Sequence, residues 1–221
     1  MLTPGSAFAG RTFDAILFDM DGTLISSIAA VDRSWSRWAG EHGFDPDTFR
    51  ISHGTPARTL VERLLPADAV DAAVARIDEI EIADVDGVLL LDGAAELLAA
   101  LPAERVAIVT SCTRDLAHAR IAATGLDVPA VVVTADDVQN GKPDPEPFAL
   151  GAARLGLDPA RCLVVEDAPA GLASGRAAGC ATLAVSGTHA LDTLDADAHA
   201  PSVASVSVQV AADGTLTIVD L

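Results

Sequence analysis

Phe18-Asp19-Met20-Asp21-Gly22-Thr23-Leu24 follows directly on the apolar run Ala15-Ile16-Leu17, so two acids stand where a buried strand would end. On extended backbone, side chains alternate between faces, and residues i and i+2 share one side. Asp19 and Asp21 therefore place two negative charges next to each other. Such a pair is unfavourable unless a cation or a chemical task accounts for it. Gly22 lets the chain turn sharply right after it. Taken alone, the segment also admits a plainer reading, a loop whose acids cap the next helix.

The flanking sequence supplies the context. Further apolar runs occur at 106–109 (VAIV), 131–134 (VVVT), 163–165 (LVV) and 182–185 (TLAV), and with 15–18 (AILF) they suit strands buried on both faces of a parallel sheet. Helix-type segments lie between them at 94–101, 114–124, 146–155 and 170–178, several ending at a glycine such as Gly125, Gly156 or Gly179. Alternation of this kind predicts an α/β fold, an open parallel sheet wound with right-handed crossovers. The interval 27–91 breaks the rhythm, with amphipathic helical pattern and no convincing strand. The expected organisation is a core domain from residues 1–26 and 92–221 with a small all-helical domain, 27–91, inserted after the first strand. The tail at 206–219 alternates around Asp213-Gly214 and reads as a hairpin.

The strand ends can now be compared. The first run stops at Asp19, the second at Thr110-Ser111 and the fourth at Glu166-Asp167, and the third is followed by Gly141-Lys142-Pro143. Doubly wound sheets bind ligands at the carboxyl ends of their strands. Asp19, Asp21, Glu166 and Asp167 would thus converge with one lysine, Lys142, leaving excess negative charge. A hard divalent cation resolves that excess, and Mg²⁺ prefers oxygen donors of this type. Zinc fits poorly, because no histidine or cysteine cluster accompanies the acids. With a phosphate added, the metal, Lys142, the Thr110 hydroxyl and backbone amides near Gly22 and Ser111 could hold its oxygens. One Asp could then attack phosphorus, while the other protonates the leaving alkoxide and later activates water.

In order and spacing these segments resemble the haloacid dehalogenase (HAD) superfamily of phosphatases. The first motif is similar to DMDGTL at 19–24, the second to Thr110, the third to Lys142 in GKPDPEPF and the fourth to VVEDAPAGLASGRAAG at 164–179. The resemblance covers nearly the whole chain. It implies Asp19 as nucleophile, and Asp21 as acid/base that also gives its backbone carbonyl to Mg²⁺. It implies Asp167 as a metal ligand with Glu166 as a further ligand or the partner of one, and Thr110 and Lys142 as phosphoryl-binding groups. A Rossmann-like core is implied, with 27–91 as the C1 cap of subfamily I. The stretch AAVDRSWSRWAGEHGFD at 29–45, followed by His53-Gly54, further resembles the glycerol-phosphate and 2-deoxyglucose-6-phosphate phosphatase branch, which implies a small phosphorylated polyol or sugar as substrate. Two positions depart from the pattern. Ser26 stands where an acid is common, and Pro56 where that branch carries an arginine, so Arg58 is considered with His53 and Gly54 as a substrate contact.

Composition bounds the remaining readings. With 14 Lys plus Arg against 32 Asp plus Glu, the formal charge is −18, which argues against nucleic acid or an anionic membrane as partner. Cys112, Cys162 and Cys180 are widely spaced within apolar surroundings, as expected of reduced, packed thiols in a cytoplasmic protein. A thiol nucleophile at Cys112 lacks an adjacent basic partner. Neither a signal peptide nor a transmembrane stretch is recognisable, and a monomer is the default. Trp35 and Trp38 share a helix face and are expected to pack in a core. Besides the phosphatase, a hexose phosphomutase with the same phospho-aspartate chemistry and a non-catalytic phosphoryl- or metal-binding module stay open.

Overall fold

The four apolar residues Ala15–Phe18 form a fully buried strand, β1, after a short N-terminal helix, α1 (Pro4–Ala7). This is a computed structural model, and it describes residues 1–51 and 55–220. After β1 a two-residue strand, β2 (Ile25–Ser26), leads into three helices, α2 (Ile28–Glu41), α3 (Ala57–Leu64) and α4 (Val70–Ala83). The chain returns through β3 (Leu89–Leu90), which pairs antiparallel with β2. There follow α5 (Ala94–Ala99), β4 (Val106–Val109), α6 (Arg114–Thr124), β5 (Val131–Val133), α7 (Glu146–Leu155), β6 (Cys162–Glu166), α8 (Pro169–Ala177), β7 (Ala181–Val185) and β8 (Ala198–Ala200). The chain closes with a hairpin of β9 (Val206–Val210) and β10 (Leu216–Asp220).

Among the described residues, six strands form one sheet in the order β5-β4-β1-β6-β7-β8, and every pair in it is parallel. Their side chains alternate between two apolar layers, as the period of two requires. Ile16, Phe18, Ile108, Leu163 and Val165 face one layer with Leu97 of α5 and Leu116 of α6. Leu17, Ala107, Val109 and Val164 face the other with Phe148 and Ala152 of α7. From β1 the chain winds outward through β4 and β5, then crosses back to β6 and winds outward the other way. The crossover opens a crevice between the carboxyl ends of β1 and β6, where open α/β sheets bind ligands. Phe18 pairs with Val165 in the ladder, so Asp19 and Glu166 emerge side by side at its rim.

The helices α2, α3 and α4 are held by an apolar cluster of their own, built from Trp35, Trp38, Leu60, Val61, Val70, Ala73, Ile77 and Ile80. Trp38 is fully buried, and its indole N–H donates to the Ala73 carbonyl at 2.9 Å, which satisfies the one polar atom that burial would orphan. The two tryptophan rings lie 5.2 Å apart, so both pack in a core as their spacing predicts.

Besides the two-residue β2, three features differ from the sequence reading. Leu89–Leu90 is a strand inside the interval read as strand-free; it is too short to carry a period and pairs only with β2. The edge strand Ala198–Ala200 escaped notice because its run, AHA, lacks branched residues. The short α1 was not expected; it packs against β10, and the Gly5 amide donates to the Asp220 carboxylate at 2.9 Å. All three cysteines are buried and free. Among the described residues no helix is long and apolar enough to cross a membrane.

Candidate active site

Lys142 reaches from the loop after β5 into the crevice, and its ammonium makes three contacts there. It donates to Asp19 Oδ1 at 2.5 Å, to Glu166 Oε1 at 2.9 Å and to the Val109 carbonyl at 2.9 Å. All three side chains are buried, so these are charge-assisted bonds in a low-dielectric setting. Burial pushes the Asp19 carboxyl well above the usual carboxylate range, with Glu166 and Asp167 adding to the push and Lys142 opposing it. Burial works against the Lys142 charge, but Asp19 and Glu166 more than offset it and hold the ammonium above its ordinary pKa.

Glu166 has both oxygens engaged. Oε1 accepts from Lys142, and Oε2 accepts from the backbone amides of Asp167 at 2.8 Å and Ala168 at 2.7 Å. Helix α8 starts immediately beyond, so the carboxylate also meets the positive end of a helix dipole. Asp167 Oδ2 accepts from the amide and hydroxyl of Thr188 at 2.7 and 2.5 Å. Burial nonetheless lifts the Asp167 carboxyl to about 6, assisted by Glu166.

Oxygen atoms of Asp19, Glu166 and Asp167 lie within 4.8 Å of one another, with one ammonium among three carboxylates. This donor set is all oxygen, buried and short of positive charge, which fits a hard divalent cation such as Mg²⁺. Each of the three offers one oxygen to such an ion, and Glu166 does so while also accepting from Lys142 and two backbone amides. Glycines wall the site. At Gly22, whose φ is +87°, a Cβ would overlap the Asp167 carboxylate, and at Gly187 it would meet both the Gly22 carbonyl and Asp167. A Cβ at Gly171 would overlap the Glu166 carboxylate. The Gly22 amide, expected near a phosphate, donates to the Ile25 carbonyl at 2.7 Å, so what Gly22 brings to the site here is its missing side chain.

Thr110 is buried at the end of β4, and its hydroxyl oxygen accepts the Cys112 amide at 3.1 Å, leaving its own proton free to donate. Ser111 is exposed beside it. Asp21 stands on the same rim as Asp19, with its carboxylate 23% exposed and both oxygens held: Oδ1 by Arg120 at 2.8 Å, Oδ2 by the Cys112 thiol at 3.1 Å. Arg120 also donates to Cys112 Sγ at 3.2 Å and to Glu81 Oε1, from α4, at 3.4 Å. Cys112 thus has the basic neighbour its sequence surroundings lacked. Burial and the Asp21 charge nevertheless raise its thiol far above the usual range, so it is a donor and not a nucleophile.

Arg120 and Glu81 were not singled out from the sequence. A signal was present, because Leu116, Ala117 and Arg120 lie three and four apart on one face of α6, and a guanidinium on an apolar stripe calls for an acid partner. Of the expected substrate contacts, His53 and Gly54 lie outside the described residues. Arg58 is half-exposed on α3 and pairs with Asp71 at 2.8 Å and Glu62 at 4.0 Å.

A doubly wound parallel sheet with an Asp-x-Asp pair at the end of its first strand, a buried lysine and an acid pair defines a class of hydrolases. The chain matches the model of haloacid dehalogenase-like hydrolases over residues 13–179, and it belongs to that family. It is 41% identical over 202 residues to hexitol phosphatase A of Escherichia coli, covering 87% of this chain and 94% of that one. It is 37% identical over 194 residues to glycerol-1-phosphate phosphohydrolase 2 of Saccharomyces cerevisiae, covering 82% and 78% of the two chains. A hydrolase from Pseudomonas syringae shares the fold, with a TM-score of 0.76 at 23% identity over 86% of this chain and 94% of that one.

Proposed function

We propose that this hydrolase is a Mg²⁺-dependent phosphomonoesterase of small phosphorylated polyols or sugars, acting through an aspartyl-phosphate on Asp19. The observation that carries the reading is the buried Asp19 carboxylate, pinned by Lys142 at the strand end where a ligand would enter, with Asp21 two residues on. The names of the hexitol and glycerol phosphate relatives support the substrate class. Residues 27–91 are assigned as the cap, with the core formed from 1–26 and 92–221.

An Asp19 oxygen attacks phosphorus as the bond to the substrate's leaving oxygen breaks, and Asp21 gives that oxygen its proton. Asp21 then takes a proton from water, which attacks the phosphorus of the aspartyl-phosphate, releasing inorganic phosphate and restoring Asp19. Lys142 holds the Asp19 carboxylate in place and balances charge as the phosphoryl group passes. The free hydroxyl proton of Thr110 and the backbone beside Ser111 bind phosphoryl oxygens. When bound among Asp19, Glu166 and Asp167, Mg²⁺ supplies charge neutralisation at those oxygens.

The test is phosphate release from glycerol phosphates, hexitol phosphates, 2-deoxyglucose 6-phosphate and β-glucose 1-phosphate, with Mg²⁺ and with chelator. Metal-dependent release that disappears in Asp19→Asn, with the fold retained, is the expected result. Undiminished release by Asp19→Asn refutes the nucleophile assignment. Isomerisation of a hexose phosphate without release replaces the phosphatase by a mutase.

A further inference from the structure

Asp21 is the group whose direction decides whether a proton reaches the leaving oxygen, yet the loop carrying it does not fix its side chain. Both contacts that hold its carboxylate come from elsewhere in the chain, Cys112 from the end of β4 and Arg120 from the middle of α6. Of these, the guanidinium is the stronger, being charged and 2.8 Å from Oδ1. Arg120 is itself nearly inaccessible, with a side chain 6% exposed, whereas Asp21 opens to the crevice at 23%. The cation therefore lies behind the acid and acts on it from the protein side.

The second carboxylate on Arg120 belongs to a different part of the molecule. Glu81 is on α4, among the helices that pack on their own cluster, and its side chain is 9% exposed. One turn earlier on α4, Asp78 accepts the Thr113 hydroxyl at 2.9 and 3.1 Å. Asp78 and Glu81, three residues apart on one helix face, thus seat α4 against the start and middle of α6. A buried guanidinium with one acid on each side is fixed in rotation by the pair. Removing the α4 acid leaves it free to turn about its bond to Asp21.

We infer that Arg120 is the positioning residue for Asp21, and that Glu81 orients Arg120 from the helical unit, so that Asp21 is aimed when α4 is seated on α6. The inference rests on the phosphatase reading, in which Asp21 delivers the proton. Proton delivery matters for an alkyl leaving group and hardly at all for p-nitrophenolate, which departs unprotonated. A loss confined to alkyl esters therefore reports on Asp21 alone.

The experiment measures kcat/KM, which covers the steps up to phosphoenzyme formation, on glycerol 1-phosphate and p-nitrophenyl phosphate. Wild type, Arg120→Met, Arg120→Lys, Glu81→Gln and the double variant Arg120→Met/Glu81→Gln are compared with Mg²⁺ present. Arg120→Met is expected to lose roughly 100-fold on glycerol 1-phosphate and less than about fivefold on p-nitrophenyl phosphate, the span that general-acid catalysis covers. Arg120→Lys regains part of the alkyl-ester loss, and Glu81→Gln shows the same pattern at about tenfold. The double variant leaves no unpaired acid at position 81 and shows the Arg120→Met pattern should the single variant not fold. Equal losses on both esters overturn the inference, as does no loss on either. Wild type inactive on these two esters and on the hexitol and 2-deoxyglucose phosphates refutes the phosphatase reading and the inference with it; wild type active, with Arg120 variants unchanged, refutes the inference alone.

Discussion

Replacing Lys142 by methionine tests whether one ammonium balances the floor of the site. The variant keeps an apolar stem out to the ε position and removes the ammonium, whose Nζ lies 4.8 Å from the centroid of the Phe148 ring. At an effective dielectric of about 20, unit charges at the observed 2.5 and 2.9 Å attract by roughly 7 and 6 kcal/mol. Against this stand several kcal/mol of desolvation for each buried ion and the repulsion between the two carboxylates. What remains on removing the cation is a loss of about 3–5 kcal/mol, the usual consequence of leaving buried charge uncompensated. Its pH dependence has a definite sign. Burial already holds the Asp19 carboxyl above its unfolded value, and without Lys142 the carboxyl rises further. A group with a raised folded pKa contributes stability below its unfolded pKa and loses it as pH rises through the folded one. The deficit of Lys142→Met should therefore be small in acid, near the unfolded carboxyl pKa of about 4, and should grow as pH rises through the raised folded pKa. Urea unfolding of both proteins in chelator measures it, and excess Mg²⁺ should return part of the loss. A deficit under about 1 kcal/mol at the higher pH, or one independent of pH, would show that Lys142 is not the counter-charge.

Gly22→Ala must carry a side chain at φ +87° and push the Asp167 carboxylate aside, so it should cost about 1–2 kcal/mol of stability. More diagnostic, its activity should require a higher Mg²⁺ concentration than wild type; an unchanged Mg²⁺ titration would separate Asp167 from the metal. Trp38→Phe keeps most of the apolar contact in the helical unit but removes the indole donor from the Ala73 carbonyl, which retains its place in the α4 ladder. Thermal or urea unfolding should register a loss of about 1–3 kcal/mol, and a neutral result would mean that the indole hydrogen bond adds nothing.

The parts of this molecule that were legible in sequence are those where one residue type has one physical solution. Continuous apolar runs such as Ala107-Ile108-Val109 are solved by strands buried on both faces, and acids at successive strand ends are solved by a shared site. Asp19, Lys142, Glu166 and Asp167 do meet, because parallel strands in register bring their carboxyl ends to one edge. What sequence did not resolve was which oxygens remain open. Glu166 joins Asp19 and Asp167 in one oxygen cluster, and only the fold reveals that its oxygens also accept from Lys142 and two amides. Arg120 and Glu81 were illegible for a related reason. Each is an ordinary charged residue on a helix until tertiary packing buries Arg120 between Asp21 and Glu81.

The glycine walls carry a consequence for how this protein can change. Gly22, Gly171 and Gly187 sit so close to carboxylates that any side chain there would displace them. Libraries randomised at those positions should return mostly inactive proteins whatever ester is offered. Libraries confined to α2 and α3 vary residues that make no hydrogen bond or ion pair to Asp19, Lys142, Glu166 or Asp167. Selection for a new phosphate ester should therefore accumulate its substitutions in the helices and leave the rim of the sheet as it stands.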